Sequence, residues 1–426
     1  MDSGRSSLSQ LLSHTERFIY HIEKGHNVDV IYLDFSKAFD RVDHTILLHK
    51  IERNGITGKL LQWIRSFLTG RTQQVSVNYI LSKNAEVISG VPQGSVLGPL
   101  LFLIMIQDID TNILHSFLSS FADDTRLMKE ISKNTDVQSL QDDLDVVYQW
   151  TSSNNMQLNG LKFEHLKYGK NEELKEHSNY FSDTGSQIET KMDVKDLGVT
   201  LDVNMTYSKH ITNQIEKVKS IIAWIHRTFK TRDCQVMLTL WKSLVLPHID
   251  YCSQLWSPSK RYLIQQLESL QKSYLNRIPT LQHLNYWEKL KELKLYSLER
   301  RRERYRIIYT WSILEQLVPN FNYAENKGGI FSYHNQRLGR KCYLKEVNIK
   351  NKNIWRDSLS EEGPRLFNAL PKSIRDLKNC SKTSFKRQLD HYLNSLPDEP
   401  LLPNYFPLRR ADSNSIMVHH RISQIG

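Results

Sequence analysis

At 426 residues, with 39% hydrophobic and 24% charged residues, the chain is long enough for two or three domains and too apolar for a disordered protein. The longest uninterrupted apolar run, residues 100–106, is too short to cross a bilayer, and no basic-then-apolar signal segment opens the chain. Four widely spaced cysteines without a CxxC pair argue against a zinc module and predict reduced thiols. We therefore expect a protein that stays inside the cell, in the cytoplasm or the nucleus, and does not enter a membrane.

Positive charge is concentrated in one part of the chain. Lys and Arg outnumber Asp and Glu by 57 to 46, a net charge of +11. Residues 209–306 alone hold 19 basic and 8 acidic residues, so this segment carries the whole excess. A concentrated positive region is the expected footprint of a polyanionic partner such as a nucleic acid.

The N-terminal part of the chain predicts a central strand between helices. Residues 28–35 are apolar on both faces, as expected for a strand in the middle of a sheet, and carry Asp34 near their end. Asp43 has the sequence context of a helix N-cap. The other elements predicted before residue 80 are helices at 7–24, 43–51 and 59–68 and a strand at 73–79.

A loop rich in glycine and proline at 89–99 leads into a helix that ends near residue 110. Residues 116–121 and 125–128 then predict a β-hairpin with Asp123 and Asp124 in its turn. The elements predicted after the hairpin are a helix at 137–150, with Asp142, Asp143 and Asp145 on a solvated face, and a strand at 157–168 that carries Lys162.

The chain is predicted to be strongly helical from residue 211, and beyond residue 319 the pattern weakens into a mixed region. A long basic helical run at 286–318 includes five arginines, Arg300, Arg301, Arg302, Arg304 and Arg306. One further helix is predicted at 384–393, and the proline-containing tail after residue 396 is predicted to be mobile.

The adjacent carboxylates of Asp123 and Asp124 repel each other and raise each other's pKa unless a cation lies beside them. Mg²⁺ is a hard cation that prefers such oxygen ligands. Asp34 lies on a separate predicted strand, and a two-metal site requires acidic ligands that converge from separate strands. An Asp-Asp turn without a metal is the simpler alternative for this pair.

Three ordered segments resemble motifs A, B and C of reverse transcriptases. They are IYLDFSKAFDRVDH at 31–44, GVPQGSVLGP at 90–99 and FADD at 121–124. The resemblance is greatest to the non-LTR (LINE-type) retrotransposon group, and within it to jockey-like elements. It continues through five shorter stretches, at 159–162, 196–199, 244–258, 267–271 and 384–393.

The resemblance implies an α+β fold with the architecture of a right-hand polymerase, whose palm is an antiparallel sheet with packed helices. The implied domains are a remnant of the fingers at 1–27, the palm at 28–203, a helical thumb at 204–285, a basic α-rich region at 286–396 and the mobile tail at 397–426.

The implied activity is RNA-directed DNA polymerisation with two Mg²⁺ ions, or Mn²⁺ in their place. The implied partners are an RNA template, a DNA primer and deoxynucleoside triphosphates. Asp34 and Asp123 would be the principal metal ligands, with Asp124 in support and the backbone carbonyl of Phe35 completing a metal shell.

The resemblance also implies roles around the nucleotide. Phe39 would stack beneath the incoming sugar and exclude a 2′-hydroxyl, Gln93 and Gly94 would line the nucleotide pocket, and Lys162 would act near the pyrophosphate as a general acid. The five arginines of 300–306 would contact phosphates.

The residues by themselves leave other roles open. Phe39 fits an apolar core, Lys162 a surface lysine, and the five arginines a solvated helix face paired with Glu299 and Glu303. Asp40 and Asp43 are better explained as turn and cap residues than as metal ligands.

Only 33 residues precede Asp34, and from the Gly4-Arg5-Ser6 stretch onward they resemble the end of the fingers. The basic fingers sheet that precedes this point in the family, its endonuclease domain and its zinc knuckle have no counterpart, so we expect an N-terminally truncated reading frame. The alternative function is therefore a catalytically weak or inactive retroelement remnant that only binds nucleic acid.

Overall fold

The computed structural model of the chain describes residues 6–319, 331–336, 339–344, 357–399 and 414–425. The chain forms two compact units, one of residues 25–194 and one of residues 195–426 together with the N-terminal 24 residues. Helix α1 (Ser7–Glu23) belongs to the second unit and is capped by Ser6, whose hydroxyl accepts a hydrogen bond from the Ser9 backbone N–H at 3.2 Å. The predicted domain boundaries at 27/28 and 203/204 stay predictions, and residues 1–5 of the predicted fingers remnant lie outside the described residues.

The unit of residues 25–194 is built on a five-stranded sheet. In chain order its elements are β1 (Asn27–Leu33), α2 (His44–Arg53), α3 (Gly58–Leu68), β2 (Thr72–Gln73), β3 (Ser76–Val77), β4 (Ile80–Leu81), β5 (Ala85–Glu86), α4 (Gly98–Ile106), β6 (Phe117–Phe121), β7 (Asp124–Ile131), α5 (Asn134–Ser153), β8 (Glu164–Tyr168), α6 (Glu172–His177) and β9 (Glu189–Thr190). The large sheet has the strand order β6-β7-β1-β8-β9 and is antiparallel except between β8 and β9.

Strand β1 lies in the middle of this sheet, as its apolar sequence predicts. Ile31 and Leu33 pack into a core that also contains Leu47 of α2, Phe102 of α4 and Leu144 of α5. Because helices cover the sheet, a strand without polar alternation can be buried on both faces. The predicted α+β fold class is confirmed.

Several local predictions in this unit need correction. The predicted strand at 73–79 is replaced by the short, exposed strands β2 and β3. Lys162 lies on a 3₁₀ turn, Gly160–Lys162, because β8 begins only at Glu164. Asp143 is not on a solvated face: it is buried and accepts hydrogen bonds from the backbone N–H groups of Leu114 and His115 at 3.1 and 2.9 Å.

The other unit is mainly helical. The chain enters it within β10 (Asp193–Asp196), and its further elements are β11 (Val199–Asp202), α7 (Ser208–Thr228), α8 (Cys234–Leu240), α9 (Leu246–Asp250), α10 (Ser253–Trp256), α11 (Arg261–Leu275), α12 (Tyr286–Glu292), α13 (Leu298–Leu314), β12 (Phe331–Gln336), β13 (Gly339–Leu344), α14 (Leu359–Asn368), α15 (Lys372–Arg375), α16 (Lys382–Ser395) and α17 (Ile416–Ile425). A π-helical turn, Trp241–Val245, joins α8 to α9.

The C-terminal region differs from its prediction at several points. The basic run at 286–318 is divided into α12 and α13, with Lys294 in the left-handed conformation between them. The hairpin of β12 and β13 and the helix α14 have no counterpart among the predicted elements.

The tail predicted to be mobile is packed in part. Asp398 accepts a hydrogen bond from the Ser297 backbone N–H at 2.7 Å, and the Ile416 N–H donates to Glu303 at 2.9 Å. These segments are held because polar groups of α13 and of its N-cap residue, Ser297, form hydrogen bonds with them. Residues 400–413 of the tail lie outside the described residues. Among the described helices, none is both long enough and apolar enough to cross a membrane.

Candidate active site

Asp34 directly follows β1, where the backbone is fixed from both sides. The Asn159 N–H donates to the Asp34 carbonyl and the Ser36 N–H donates to the Gln157 carbonyl, both at 2.8 Å. These two hydrogen bonds flank Phe35, which forms an isolated antiparallel bridge with Leu158. The side-chain oxygen Oδ2 of Asp34 is buried and accepts no hydrogen bond from the described residues.

The two aspartates of the hairpin occupy different positions. Ala122 and Asp123 form the two-residue turn, with Ala122 in the left-handed conformation (φ +54°). Asp124 pairs with Phe121 and is the first residue of β7 rather than part of the turn. Hairpin pairing continues to Phe121 and Asp124, so only two residues form the turn. Asp123 and Asp124 are therefore exposed at the end of the hairpin.

The strand register brings Asp34 to the hairpin. Antiparallel pairing of β1 with β7 ends at Leu33 opposite Thr125. Asp34 and Asp124 are the residues just beyond this last pair on the two strands, so they lie near each other. Burial raises the pKa of Asp124, and the negative charges of Asp123 and Asp34 raise it further. Asp124 therefore lies close enough to both Asp123 and Asp34 to be affected by their charges.

Arg126 is a site residue that the sequence analysis missed. Its side chain is 1% exposed, and its positive charge lowers the pKa of Asp124. Both residues lie on β7 two positions apart and so point to the same face of the sheet. The two-residue spacing between Asp124 and Arg126 in a predicted strand was the sequence feature that could have indicated this contact.

Lys162 lies beside Asp34 although the chain separates them widely. Its Nζ is 3.4 Å from Asp34 Oδ2, and its side chain is 65% exposed. An exposed ion pair of this kind is weak, and the lysine can exchange this partner for another anion at small cost.

The carboxylate cluster fits a divalent metal site. Asp34 offers a buried oxygen whose described partner is the Lys162 ammonium, and the partly solvated carboxylates of Asp123 and Asp124 add negative charge. Oxygen-only ligands of this charge suit a hard cation such as Mg²⁺, which retains several water ligands and needs few from the protein.

Phe39, five residues after Asp34, packs together with the loop of residues 89–97. Phe39 lies on a 3₁₀ turn, Ala38–Asp40, and its ring stacks on Phe102 with centroids 4.5 Å apart. The Val91 N–H donates to the Phe39 carbonyl at 2.8 Å. The Gln93 side-chain amide donates to Asp40 Oδ1 at 2.9 Å. Two of the three motifs are thus joined directly.

Gly90 is required for this contact. Its φ is +86°, and a Cβ at this position would lie 2.8 Å from the Asp40 carbonyl oxygen. The Gly90 carbonyl accepts from Arg71 at 2.8 Å and lies 2.8 Å from His44 Nε2. These two side chains were also missed, because nothing in the local sequence connects them to the loop. Gly94 has a φ of +80°, and a Cβ added there would have no neighbouring atom within 4 Å, so its surroundings are open.

Asp43 is a helix cap, as predicted. Its Oδ1 accepts from the backbone N–H groups of Thr45 and Ile46 at 2.8 and 3.0 Å, at the start of α2. Asp40 serves the loop contact with Gln93. The structure uses neither as part of the carboxylate cluster.

The five arginines of 300–306 are placed differently from their prediction. Arg300 donates to the carbonyls of Pro397 and Asn414, each at 2.9 Å, and Arg306 donates to the carbonyls of Gln254 and Asp357 at 3.1 and 3.0 Å. Arg302 is buried, and burial lowers its pKa.

Arg301 and Arg304 are committed to ion pairs. Arg301 forms a two-pronged contact with Asp250, and Arg304 forms one with Asp390. Because α13 packs its charged side chains against other elements of the same unit, neither the predicted phosphate contact nor a solvated face describes them. Their contacts within the unit do not support the predicted phosphate contact, which stays a prediction.

A different basic surface occurs between α7 and α11. A cleft of about 830 Å³ is lined by four cationic side chains, Lys219, Arg227, Arg232 and Arg277. No described residue that lines it is acidic. His226 also lines it, and burial, followed by the charges of Arg277 and Arg232, lowers the pKa of this histidine. We call this surface the basic cleft.

Comparison with known proteins places the geometry in context. Residues 4–201 match the profile of the family described as "Reverse transcriptase (RNA-dependent DNA polymerase)". The chain is 30% identical over 258 residues to an RNA-directed DNA polymerase from the mobile element jockey of Drosophila melanogaster, covering 58% of this chain and 28% of the relative. It is 26% identical over 280 residues to a probable RNA-directed DNA polymerase from the transposon X-element of the same species, covering 63% and 30%.

Similarity also extends to a solved structure. A telomerase from Candida tropicalis aligns over 72% of this chain and 45% of its own, with 13% identity and a TM-score of 0.39. The chain spans less than a third of the length of the two curated relatives described above.

Proposed function

We propose that the chain is a reverse transcriptase related to the non-LTR retrotransposon enzymes, and so an RNA-directed DNA polymerase, because residues 4–201 match the reverse transcriptase family and the chain is similar to the jockey polymerase. It extends a DNA primer on an RNA template with deoxynucleoside triphosphates. The observation that carries this proposal is the register of β1 with β7, whose last pair, Leu33 with Thr125, brings Asp34 near Asp124 at the hairpin that bears Asp123.

The carboxylates hold the metal ions in this proposal. Asp34 and Asp123 are the principal ligands, Asp124 supports them, and the Phe35 carbonyl is a further oxygen donor. When bound, two Mg²⁺ ions, or Mn²⁺ in their place, would lower the pKa of the attacking 3′-hydroxyl and neutralise charge on the triphosphate. Arg126 limits the repulsion within the cluster, since its buried positive charge favours ionised Asp124.

Lys162 serves the leaving group. Its exposed ammonium, now 3.4 Å from Asp34 Oδ2, can turn toward the pyrophosphate and donate a proton or stabilise its charge. The Lys162 N–H donates to the Asn159 carbonyl at 2.9 Å. This hydrogen bond fixes the short turn that carries Lys162, which supports this role.

The unit formed by Phe39 and the 89–97 loop positions the nucleotide. Contact with Phe102 holds the Phe39 ring, and this rigidity suits a side chain that must exclude a 2′-hydroxyl. The hydrogen bond to Asp40 fixes Gln93, and the open surroundings of Gly94 leave room for a base and its partner.

The basic cleft binds the nucleic-acid backbone. Phosphate contacts by Lys and Arg release counterions, so affinity falls steeply with salt. The cleft lies within the predicted thumb, 204–285, and in this proposal it replaces the five arginines of α13 as the source of this binding.

A primer-extension assay with an RNA template and Mg²⁺ tests the proposal. We expect the chain to extend the primer, and we expect Asp123→Asn to abolish extension while template–primer affinity changes less than a few-fold, because a metal ligand acts mainly on the transition state. Asp110→Asn is the matched control, an exposed aspartate without a side-chain hydrogen bond among the described contacts.

Full activity in Asp123→Asn would remove this residue from the site. Absence of extension by the unaltered chain, with binding retained, would favour the alternative of a protein that only binds nucleic acid.

A further inference from the structure

The backbone of Gly90 anchors the loop of residues 89–97 to the rest of its unit. Its N–H donates to the Val42 carbonyl at 2.8 Å. Its carbonyl oxygen lies 2.8 Å from His44 Nε2 and accepts from Arg71 Nη2, also at 2.8 Å. Both polar backbone atoms of Gly90 are therefore engaged by residues outside the loop.

His44 reaches this carbonyl from the start of a helix. A carbonyl oxygen can only accept, so the 2.8 Å contact places a proton on His44 Nε2. His44 is the first residue of α2, directly after the N-cap Asp43, whose carboxylate fixes the first turn. The residue is 8% exposed. Because it is buried, it acts through the loop and not by contact with a nucleotide.

Arg71 joins three segments of the unit. Its guanidinium donates to the Gly90 carbonyl from Nη2 and to the Leu68 carbonyl from Nε, both at 2.8 Å. Leu68 ends α3, and the last four carbonyls of a helix have no partner inside it. The Arg71 carbonyl in turn accepts from the Val87 N–H at 2.9 Å. Arg71 thereby ties the end of α3 and the base of the strands between Thr72 and Glu86 to the loop.

The two donors converge on one oxygen atom. His44 Nε2 and Arg71 Nη2 are 3.4 Å apart, and a carbonyl oxygen has two lone pairs, one for each donor. The bond from the guanidinium is charge-assisted and is therefore the stronger of the two kinds. Together they fix the direction of the peptide group that leads to Val91, whose N–H donates to the Phe39 carbonyl at 2.8 Å.

We propose that His44 and Arg71 are positioning residues that hold the Gly90 carbonyl and thereby keep Gln93 and Gly94 in the orientation that receives the nucleotide. This inference rests on the proposed function, in which the loop lines the nucleotide pocket. A loop that is already ordered loses less conformational entropy when the nucleotide binds. Loss of either donor lowers the fraction of chains with the loop in place, and the apparent nucleotide affinity falls by that fraction.

Single-turnover primer extension at varied nucleotide concentration separates the nucleotide Kd from the rate of the chemical step. We expect His44→Phe, which keeps a ring and removes the donor, and Arg71→Ala each to raise Kd roughly three- to tenfold with little change in rate. His44→Gln places an amide donor near the position of Nε2 and should keep Kd within about twofold of the unaltered chain. The matched controls, His49→Phe and Arg65→Ala, change exposed residues of α2 and α3 and should leave Kd unchanged.

Hydrogen exchange of the full chain without template or nucleotide tests the positioning directly. We expect residues 89–97 to exchange faster in His44→Phe and Arg71→Ala, at an unchanged rate across α5, and to exchange as in the unaltered chain in His44→Gln. Unchanged exchange of the loop would overturn the proposal. Faster exchange across the whole unit, with a lower melting temperature, would mean that the two residues support only the fold.

The failure of this inference is distinct from that of the proposed function. An unaltered chain that does not extend primers contradicts the proposed function. A chain that extends them with the same nucleotide Kd in His44→Phe, Arg71→Ala and the controls contradicts the positioning roles.

Discussion

Gln93 donates its side-chain amide to Asp40 Oδ1 at 2.9 Å, so the residue expected to line the nucleotide pocket is held by the turn that carries Phe39. The contact crosses between two motifs that lie far apart in the chain. Because both residues are exposed, the hydrogen bond competes with water, and its value lies in the orientation of the amide.

Asp40→Ala should therefore weaken nucleotide use without removing the carboxylate cluster. A net hydrogen bond is worth about 0.5–1.5 kcal/mol, so we expect kcat/KM for the nucleotide to fall roughly two- to tenfold. Steady-state primer extension measures this, with Asp110→Asn as the control. An unchanged kcat/KM would mean that Gln93 does not need Asp40.

Phe39→Val should raise ribonucleotide incorporation relative to deoxyribonucleotide incorporation, since the smaller side chain leaves space beside C2′. Single-nucleotide extension with matched ribo- and deoxyribonucleotides measures the ratio. Phe67→Val, which removes a partly buried ring stacked on Trp63 in the same unit, is the control for lost packing. A lower melting temperature with an unchanged ratio would make Phe39 a core residue only.

Lys162→Ala should lower kcat by about 10²-fold, the size expected for loss of a positioned proton donor, with little change in template–primer affinity. Lys170→Ala, another exposed lysine of the same unit, should leave kcat unchanged. Pre-steady-state extension separates the chemical step from product release. Equal rates in the two variants would mean that Lys162 is an ordinary surface lysine without a role in catalysis.

Arg301→Ala should affect mainly stability, whereas Arg277→Ala should affect mainly nucleic-acid binding. Arg301 forms a partly buried ion pair with Asp250, and leaving that carboxylate without its partner should lower the free energy of unfolding by about 1–3 kcal/mol. Arg277 lines the basic cleft, and its loss should reduce the salt dependence of duplex binding with little effect on stability. Denaturant unfolding and binding titrations check both. A reduced salt slope in Arg301→Ala would restore α13 as a nucleic-acid surface.

Glu16→Gln should reduce the pH dependence of stability. Glu16 is 1% exposed and accepts hydrogen bonds from the Ser360 backbone N–H, at 3.3 Å, and from its hydroxyl. Burial raises the pKa of Glu16 from 4.5 to about 7, so the folded chain binds this proton more tightly than the unfolded chain. This group therefore lowers the free energy of unfolding as pH rises from 4.5 to 7, by roughly 3 kcal/mol in full.

The measurement is the melting temperature at pH 5 and pH 8. We expect the difference between the two values to shrink in Glu16→Gln, whereas Glu216→Gln, at an exposed position on α7, should leave it unchanged. An equal difference in all three proteins would mean that Glu16 is not protonated in the folded chain.

The parts of the site that depend on short stretches of sequence could be predicted, and those that depend on pairing could not. Strand β1 with Asp34 after it, and the hairpin with its two aspartates, follow from local apolar patterns. That Asp34 lies near Asp124 depends on the pairing of Leu33 with Thr125, which no local pattern encodes. The position of Lys162 beside Asp34 likewise depends on the turn at Gly160–Lys162, not on the strand predicted there.

The arginines of α13 show the same limit for charge. A run of basic residues predicts an exposed helix face only if no acidic partner is near, and the partners of Arg301 and Arg304, Asp250 and Asp390, lie 51 and 86 positions away. The basic cleft escaped prediction for the complementary reason. Lys219 and Arg227 lie on α7, Arg232 lies in the loop after α7, and Arg277 lies just after α11, so they become neighbours only in the folded chain.

The pairing of β1 with β7 restricts insertions and deletions in strand β7. Side chains alternate between the faces of a strand, so a shift of β7 by one residue would move Arg126 toward the apolar side that holds Leu127 and would separate Asp124 from Asp34. An inserted or deleted codon in this strand would therefore remove core packing and the carboxylate cluster together. The short exposed strands between Thr72 and Glu86 have no such coupling. We expect related chains to vary in length there and to keep the hairpin at constant length.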